Sequence, residues 1–249
     1  MKNKKVLTIS ILPIMWIIYV LFELISGRIH DMKTILFNLI LVVLFGLVGL
    51  VIYNSSLKFS SGLSKKSILI CFALFFILDQ GIKIIIKLFF FNEYIELIPN
   101  MLFFSPIINT DGSWLNARFG TSVSFPLLIA INIIAIFLFI EIYRYYKFKG
   151  NNDYWADMCF IFVTCGALCS LVDKIFYGGS LDFIGVSTLF IADIKDLYIN
   201  LGILFFILTL FNNGYLTSSE DTTFKDDVNG LKKFIKFISY DIKNKFKTL

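Results

Sequence analysis

"LFFILDQGIKIIIKLFFF", residues 74–91, is long and apolar enough to cross a bilayer, yet it carries Asp79, Gln80 and Lys83 in its middle. A helix needs about 20 apolar residues to span roughly 30 Å of hydrocarbon. Charged groups at that depth are expensive, so they face a cavity or a partner and mark function. Asp79 and Lys83 stand four apart, on one helix face, where they can pair. Two readings follow: a self-neutralising pair that locks the helix to a neighbour, or part of a wet site. Lys87 extends the row and can snorkel toward the interface.

The rest of the chain repeats the apolar pattern. Of 249 residues, 57% are apolar, 17% aromatic and only 16% charged, with a mean hydropathy of +0.80. A soluble domain lacks the surface to hide that much oil. Membrane-length windows fall near 6–25, 34–53, 67–91, 123–146, 155–175 and 196–212. The expected class is an all-α integral membrane protein with six transmembrane helices, a small extracytoplasmic β-rich loop element and a C-terminal amphipathic helix.

Charge orients the spans. Lys2, Lys4 and Lys5, then Lys58, Lys65 and Lys66, then Arg144, Lys147 and Lys149, and seven lysines of the tail share one side, sixteen of the 23 basic residues. By the positive-inside rule that side is cytoplasmic, with both termini there. The first span has a basic start but a long apolar run and no A-x-A site, so it is expected to remain as an anchor.

Several chemistries drop out. Cys71, Cys159, Cys165 and Cys169 lie inside spans without C-x-x-C spacing and read as small packing residues. His30 is the single histidine, and neither H-E-x-x-H nor G-x-S-x-G with a partner histidine occurs. No metal or cofactor is implied, and the basic charge points to lipid rather than nucleic acid.

Acids remain. In "TCGALCSLVDKIFYGGSLDFIGVSTLFIADIKDLY", residues 164–198, Asp173 ends the fifth span and Asp193 begins the sixth. A short loop with Gly178 and Gly179 joins them, so the two carboxylates are expected at one depth. Like charges that close share a proton, and such a dyad activates water with one oxygen and protonates a leaving amine with the other. The alternative is a pair of ordinary helix-end acids, with Asp193 favoured by a helix N-terminus.

Four segments in order resemble the signal peptidase II family: "LDQGIK" (78–83), "INT" (108–110) followed by Gly112 and Trp114, "GALCSLVDKIFYGGSLDF" (166–183) and "LFIAD" (189–193). The resemblance covers residues 67–212. It implies four transmembrane helices, a β-rich substrate cradle and an aspartyl endopeptidase that cuts signal peptides from prolipoproteins just before a diacylglyceryl-cysteine. It places the catalytic pair on Asp173 and Asp193. Asp79, Lys83, Asn109, Trp114, Lys174 and Asp182 would support the site or bind substrate.

The chain also departs from the family pattern. Ser170 stands where the family has Asn, Lys174 where it has Arg, and Phe190 where the second aspartate segment has Asn; the Trp segment is stretched to "DGSWLNARFG" (111–120). A lysine keeps the charge but loses the two-pronged donor. These changes leave two further readings beside the peptidase: a divergent relative acting on another membrane peptide or lipidated substrate, and a non-catalytic membrane binding protein.

Three regions are expected: a two-helix extension (1–62), a four-helix core (63–212), and a polar linker with a basic amphipathic helix (213–249). In the extension only Glu23 is charged within a span, and the sequence offers no chemistry there beyond anchoring, packing on the core or meeting a membrane partner. Loop 92–122 has alternating apolar residues and turn signals at Pro99-Asn100 and Asp111-Gly112, a pattern of short strands; Trp114 suits an interfacial place. "NNGYLTSSEDTTFKDDVNG" (212–230) reads as linker. After it, "LKKFIKFISYDIKNKF" (231–246) gathers Leu231, Phe234, Ile235, Ile238, Ile242 and Phe246 on one face, the pattern of a helix on an anionic leaflet; a helix without membrane contact is the alternative. The expected setting is a bacterial cytoplasmic membrane, the site facing outward, with membrane lipids and a lipid-modified prolipoprotein as partners.

Overall fold

The computed structural model describes residues 2–111, 123–216 and 224–247, and the side chains of Lys2 and Phe224 are not described. Seven α-helices occur among them: α1 (Lys2–Ile25), α2 (Met32–Lys58), α3 (Lys65–Ile85), α4 (Phe125–Phe148), α5 (Tyr154–Phe176), α6 (Ile194–Asn212) and α7 (Phe224–Lys243). A π-helical turn, Ile86–Phe90, prolongs α3. The first six are long and apolar enough to cross a membrane. α2 runs five residues past the apolar window, through Asn54, Ser55 and Ser56 to Lys58. Hydropathy ends where polar residues begin; the helical hydrogen bonds do not.

The helix starts are written in the sequence. Asp31 accepts from the Thr34 amide at 2.8 Å to cap α2, and Asp153 accepts from Ala156 at 3.0 Å to cap α5. Asp193 caps α6, with Asp196 returning a bond to the Asp193 amide in a reciprocal box. Each cap satisfies an amide that has no partner inside its own helix.

α5 and α6 form the centre. Phe162 and Phe205 stack at 5.6 Å between centroids, and Phe75 of α3 stacks on Phe162 at 5.0 Å. Cys165 and Cys169 are fully buried in this layer, as their apolar setting implied. Glycine permits the close approach: a Cβ on Gly202 would lie 2.6 Å from Val163 Cγ2, and one on Gly166 would lie 2.9 Å from Ile199 Cγ1. The α1–α2 pair is held by a polar clasp, in which Trp16 Nε1 donates to Asn38 Oδ1 at 3.1 Å and Asn38 donates to the Thr34 carbonyl at 2.8 Å.

A four-stranded antiparallel sheet closes one end, in the order β1 (Ile95–Ile98), β2 (Leu102–Asn109), β3 (Ser180–Val186) and β4 (Phe190–Ala192). The Pro99-Asn100 signal is the β1–β2 turn, with Asn100 at φ +60° and the Met101 amide bonded to the Ile98 carbonyl at 2.9 Å. Pro106 falls in the register shift between Phe104 and Ile107, where its missing donor breaks no ladder bond. Half of the sheet comes from residues 180–192, which the sequence reading treated as a connecting loop. Leu181, Asp182 and Phe183 are buried in succession and Ile184 after them is exposed, so β3 shows no strict alternation of burial.

The tail differs from expectation too. α7 begins at Phe224, inside the segment read as linker. Its apolar residues also divide. Phe237, absent from the expected face, is buried against α4, 5.2 Å from Tyr145 and 5.0 Å from Phe148. Leu231, Ile235, Ile242 and Phe246 stay exposed. Arg144 of α4 donates to both oxygens of buried Asp241, at 2.5 and 2.8 Å, and to the Phe246 carbonyl at 2.9 Å.

Candidate active site

Three helices and two strands deliver acids to one point beneath the sheet. α3 contributes Asp79, Gln80 and Lys83 from one face; Asp173 comes from the last turn of α5; Asp182 comes from β3; Asp193 stands where β4 passes into α6. Lys83 Nζ lies 3.0 Å from Asp79 Oδ2, 2.6 Å from Asp173 Oδ2 and 2.5 Å from Asp193 Oδ2, and all four side chains are fully buried. One ammonium thus ties three carboxylates from three elements.

A second ammonium faces it. Lys195, 4% exposed, lies 2.5 Å from Asp193 Oδ2, 3.4 Å from Asp173 Oδ2 and 3.5 Å from Asp182 Oδ1, and donates to Ser180 Oγ. Gln80 Nε2 donates to Asp173 Oδ1 at 3.1 Å and to Asp79 Oδ2 at 2.9 Å. Asn109, at the end of β2, donates to Asp182 Oδ2 at 3.0 Å, and Ser180 donates to Asp182 Oδ1.

Four carboxylates therefore surround two ammoniums, an excess of acid that burial makes costly unless protons are held there. Burial pushes Asp193 upward, but Lys195 and Lys83 outweigh it and leave that carboxyl below the usual carboxylate value. Asp182 goes the other way: burial, with the Asp193 charge beside it, raises it by more than Lys195 and the Ser180 and Asn109 bonds lower it. Such a group of acids with divergent proton affinity in a buried setting is suited to general acid–base work. Asp182, Asp193 and Asp196 also bring oxygens within 4.8 Å of one another, but the Lys195 ammonium already sits against two of them, 2.5 Å from Asp193 and 3.5 Å from Asp182, so their chemistry is that of a salt-bridged cluster.

Asp79, Lys83, Asn109, Asp173, Asp182 and Asp193 are thus brought together. Lys174 is not. It turns aside and donates to Ser170 Oγ at 2.6 Å, so two departures from the family pattern pair with each other. Trp114 lies outside the described residues. Lys195, Gln80 and Ser180 were not among the candidates. Lys195 did leave a trace in the sequence: a cation in the first turn of a helix opposes the helix dipole and needs acids to hold it there.

The third departure has a partner as well. Phe190 meets the rings of Trp16 and Tyr19 of α1 edge-on, at 6.1 and 5.7 Å. Beside it Arg28 donates to the carbonyls of Thr188 and Leu189, at 2.7 and 2.5 Å, and pairs with buried Glu23 at 3.4 Å. The extension, in which the sequence showed no chemistry, grips the strand that leads to Asp193.

The family model described as signal peptidase (SPase) II matches residues 71–212, which span every acid of the cluster. The chain belongs to the signal peptidase II family. Two solved structures, titled as bacterial membrane enzymes determined by the in meso method at 2.3 and 1.9 Å resolution, share its fold. They are 19% and 20% identical, with TM-scores of 0.52 and 0.50, and each alignment covers 66% of this chain and 99% of the other. Among curated proteins none matches. The signal peptidase II match leaves α1, α2 and α7 outside its limits.

Proposed function

We propose that the protein is a lipoprotein signal peptidase, an aspartyl endopeptidase in which Asp173 and Asp193 are the catalytic pair. The observation that carries this reading is the meeting of both carboxylates on one buried ammonium, within the segment that matches the family. One carboxylate takes a proton from water as the water oxygen attacks the scissile carbonyl carbon, and the other gives its proton to the carbonyl oxygen. Collapse of the tetrahedral intermediate returns that proton, breaks the C–N bond and passes the first proton to the leaving amine. General acid–base catalysis of this kind is worth about 10²–10⁴-fold per group.

Asp79, Lys83, Asn109 and Asp182 hold the pair or meet the substrate. The substrate is a prolipoprotein, cut just before a diacylglyceryl-cysteine. A groove of about 310 Å³, lined by Asn132, Val163, Ala167, Ser170, Ile199 and Ile203, opens between α4, α5 and α6 and suits an apolar chain. The division into an extension (1–62), a catalytic core (63–212) and a cytoplasmic tail (213–249) belongs to the same reading. So do the bacterial cytoplasmic membrane, the cytoplasmic termini and the outward-facing site. A second reading, a relative with a different membrane peptide or lipidated substrate, is favoured by the Ser170–Lys174 pair and by Phe190.

The test is cleavage of a diacylglyceryl-modified prolipoprotein by the purified protein beside Asp173→Asn and Asp193→Asn. Scission before the lipidated cysteine, lost in both variants, is expected. A folded wild type that leaves this substrate intact overturns the reading and turns the search to other lipidated or membrane peptides.

A further inference from the structure

The two cations do not divide evenly over the acid pair. Asp193 Oδ2 lies 2.5 Å from both Lys83 and Lys195. Asp173 Oδ2 has Lys83 at 2.6 Å, but Lys195 only at 3.4 Å, and its other oxygen takes the neutral Gln80 amide. We propose that Lys195 breaks the symmetry of the pair: a positioning residue that keeps Asp193 as the water-activating carboxylate and leaves the shared proton on Asp173. The assignment of steps rests on the peptidase reading; the order of ionisation does not.

Lys195 is built into this place. Its side chain is anchored by Ser180 and Asp182 on β3. Gly166 keeps α5 close to the first turns of α6, since a Cβ there would stand 2.9 Å from Ile199 Cγ1. A first-turn lysine gains nothing from the helix dipole, so what holds it is the acids.

Every charged neighbour bears on the split. From α3, Lys83 reaches both acids and Asp79 draws on Lys83. From α5, Lys174 gives its hydrogen bond to Ser170 and reaches Asp173 only through its charge, without a contact. From β3, Asp182 competes for Lys195 at 3.5 Å, weaker than the 2.5 Å contact to Asp193. Within α6, Asp196 faces the Asp193 amide, and Tyr198 donates away, to the Phe75 carbonyl. Tyr177, after α5, bears on Asp173. The close second cation at Asp193 is the contact that separates the two acids.

In the reaction Asp193 accepts the proton of the attacking water, and Asp173 protonates the carbonyl oxygen. On collapse Asp193 delivers its proton to the amine and Asp173 recovers its own, so the starting charges return.

The experiment is carboxyl titration, by ¹³C NMR, of full-length protein labelled at aspartate carboxyls in lipid nanodiscs, with Asp173→Asn and Asp193→Asn to assign the signals. In the wild type Asp193 ionises at lower pH than Asp173. In Lys195→Met its midpoint rises by about one to three pH units, and Lys195→Arg keeps it low. The acid limb of the cleavage profile moves upward with it. Ionisation of Asp173 first in the wild type, or an unmoved Asp193 midpoint in folded Lys195→Met, overturns the proposal. If Lys195→Met does not fold, the wild-type order alone decides. A wild type with the expected order that cleaves no prolipoprotein sinks the peptidase reading and leaves the role of Lys195 standing.

Discussion

Replacing Lys83 with Met keeps the length and apolar bulk of the side chain and deletes one charge. The loss is unevenly felt. Asp193 retains Lys195 at 2.5 Å and Asp173 retains it at 3.4 Å together with Gln80. Asp79 loses its ammonium, 3.0 Å away, and keeps only the Gln80 amide at 2.9 Å, while its Oδ1 makes no hydrogen bond within the described residues. Removing one partner of a buried ion pair costs about 3–5 kcal/mol, because the remaining charge stays buried without compensation. Lys83→Met is therefore expected to lose that much at pH 7, with most of the loss centred on Asp79. Adding Asp79→Asn should recover more than half of it. The deficit should also shrink as pH falls, since protonated carboxyls no longer need a counter-charge. Reversible unfolding of the purified protein in mixed micelles, titrated with SDS and followed by tryptophan fluorescence, measures wild type, Lys83→Met, Asp79→Asn and the double variant, and closes a double-mutant cycle. A Lys83→Met protein within about 1 kcal/mol of wild type at pH 7, or an Asp79→Asn change that deepens its loss, would refute the reasoning.

Arg28→Ala removes two bonds to the carbonyls of Thr188 and Leu189; it should cost about 1–2 kcal/mol, since the guanidinium is partly exposed, and speed hydrogen exchange of the amides between Ser187 and Asp193. Gly202→Ala should destabilise by about 1–3 kcal/mol through overpacking against Val163, read by the same unfolding assay, with the charge cluster intact. Arg144→Gln removes the bonds from that guanidinium to Asp241 and the Phe246 carbonyl; trypsin should then cut at the lysines of α7 severalfold faster than in wild type, and an unchanged rate would show that the ring contacts of Phe234 and Phe237 hold the helix without it.

Much of this architecture can be read in the chain, because membrane burial writes strong signals. Each span is an apolar run, and an acid or ammonium within one stands out against it, as Asp79, Lys83 and Asp173 do. What escaped has a common cause in long-range contact. Lys195 looks like an ordinary helix lysine until Ser180 and Asp182, supplied by β3, are placed beside it. β3 hid because Leu181, Asp182 and Phe183 are buried in succession rather than in alternation. Lys174, next to Asp173 in sequence, points some 100° away from it around the helix and donates to Ser170 Oγ, a pairing that the sequence does not announce. The grip of Arg28 on Thr188 joins residues 160 apart, and no local pattern announces it.

That grip limits how the chain could have been assembled. A core transplanted without α1 and α2 would carry Phe190 with no rings against it, and two carbonyls beside the Asp193 turn stripped of their guanidinium. Position 190, where the family pattern has a polar residue, holds an aromatic that packs on rings supplied by the extension. The two parts thus share one packing and hydrogen-bonding contact. A chimera that swaps either one is expected to keep this joint only if Trp16, Tyr19 and Arg28 travel with Phe190.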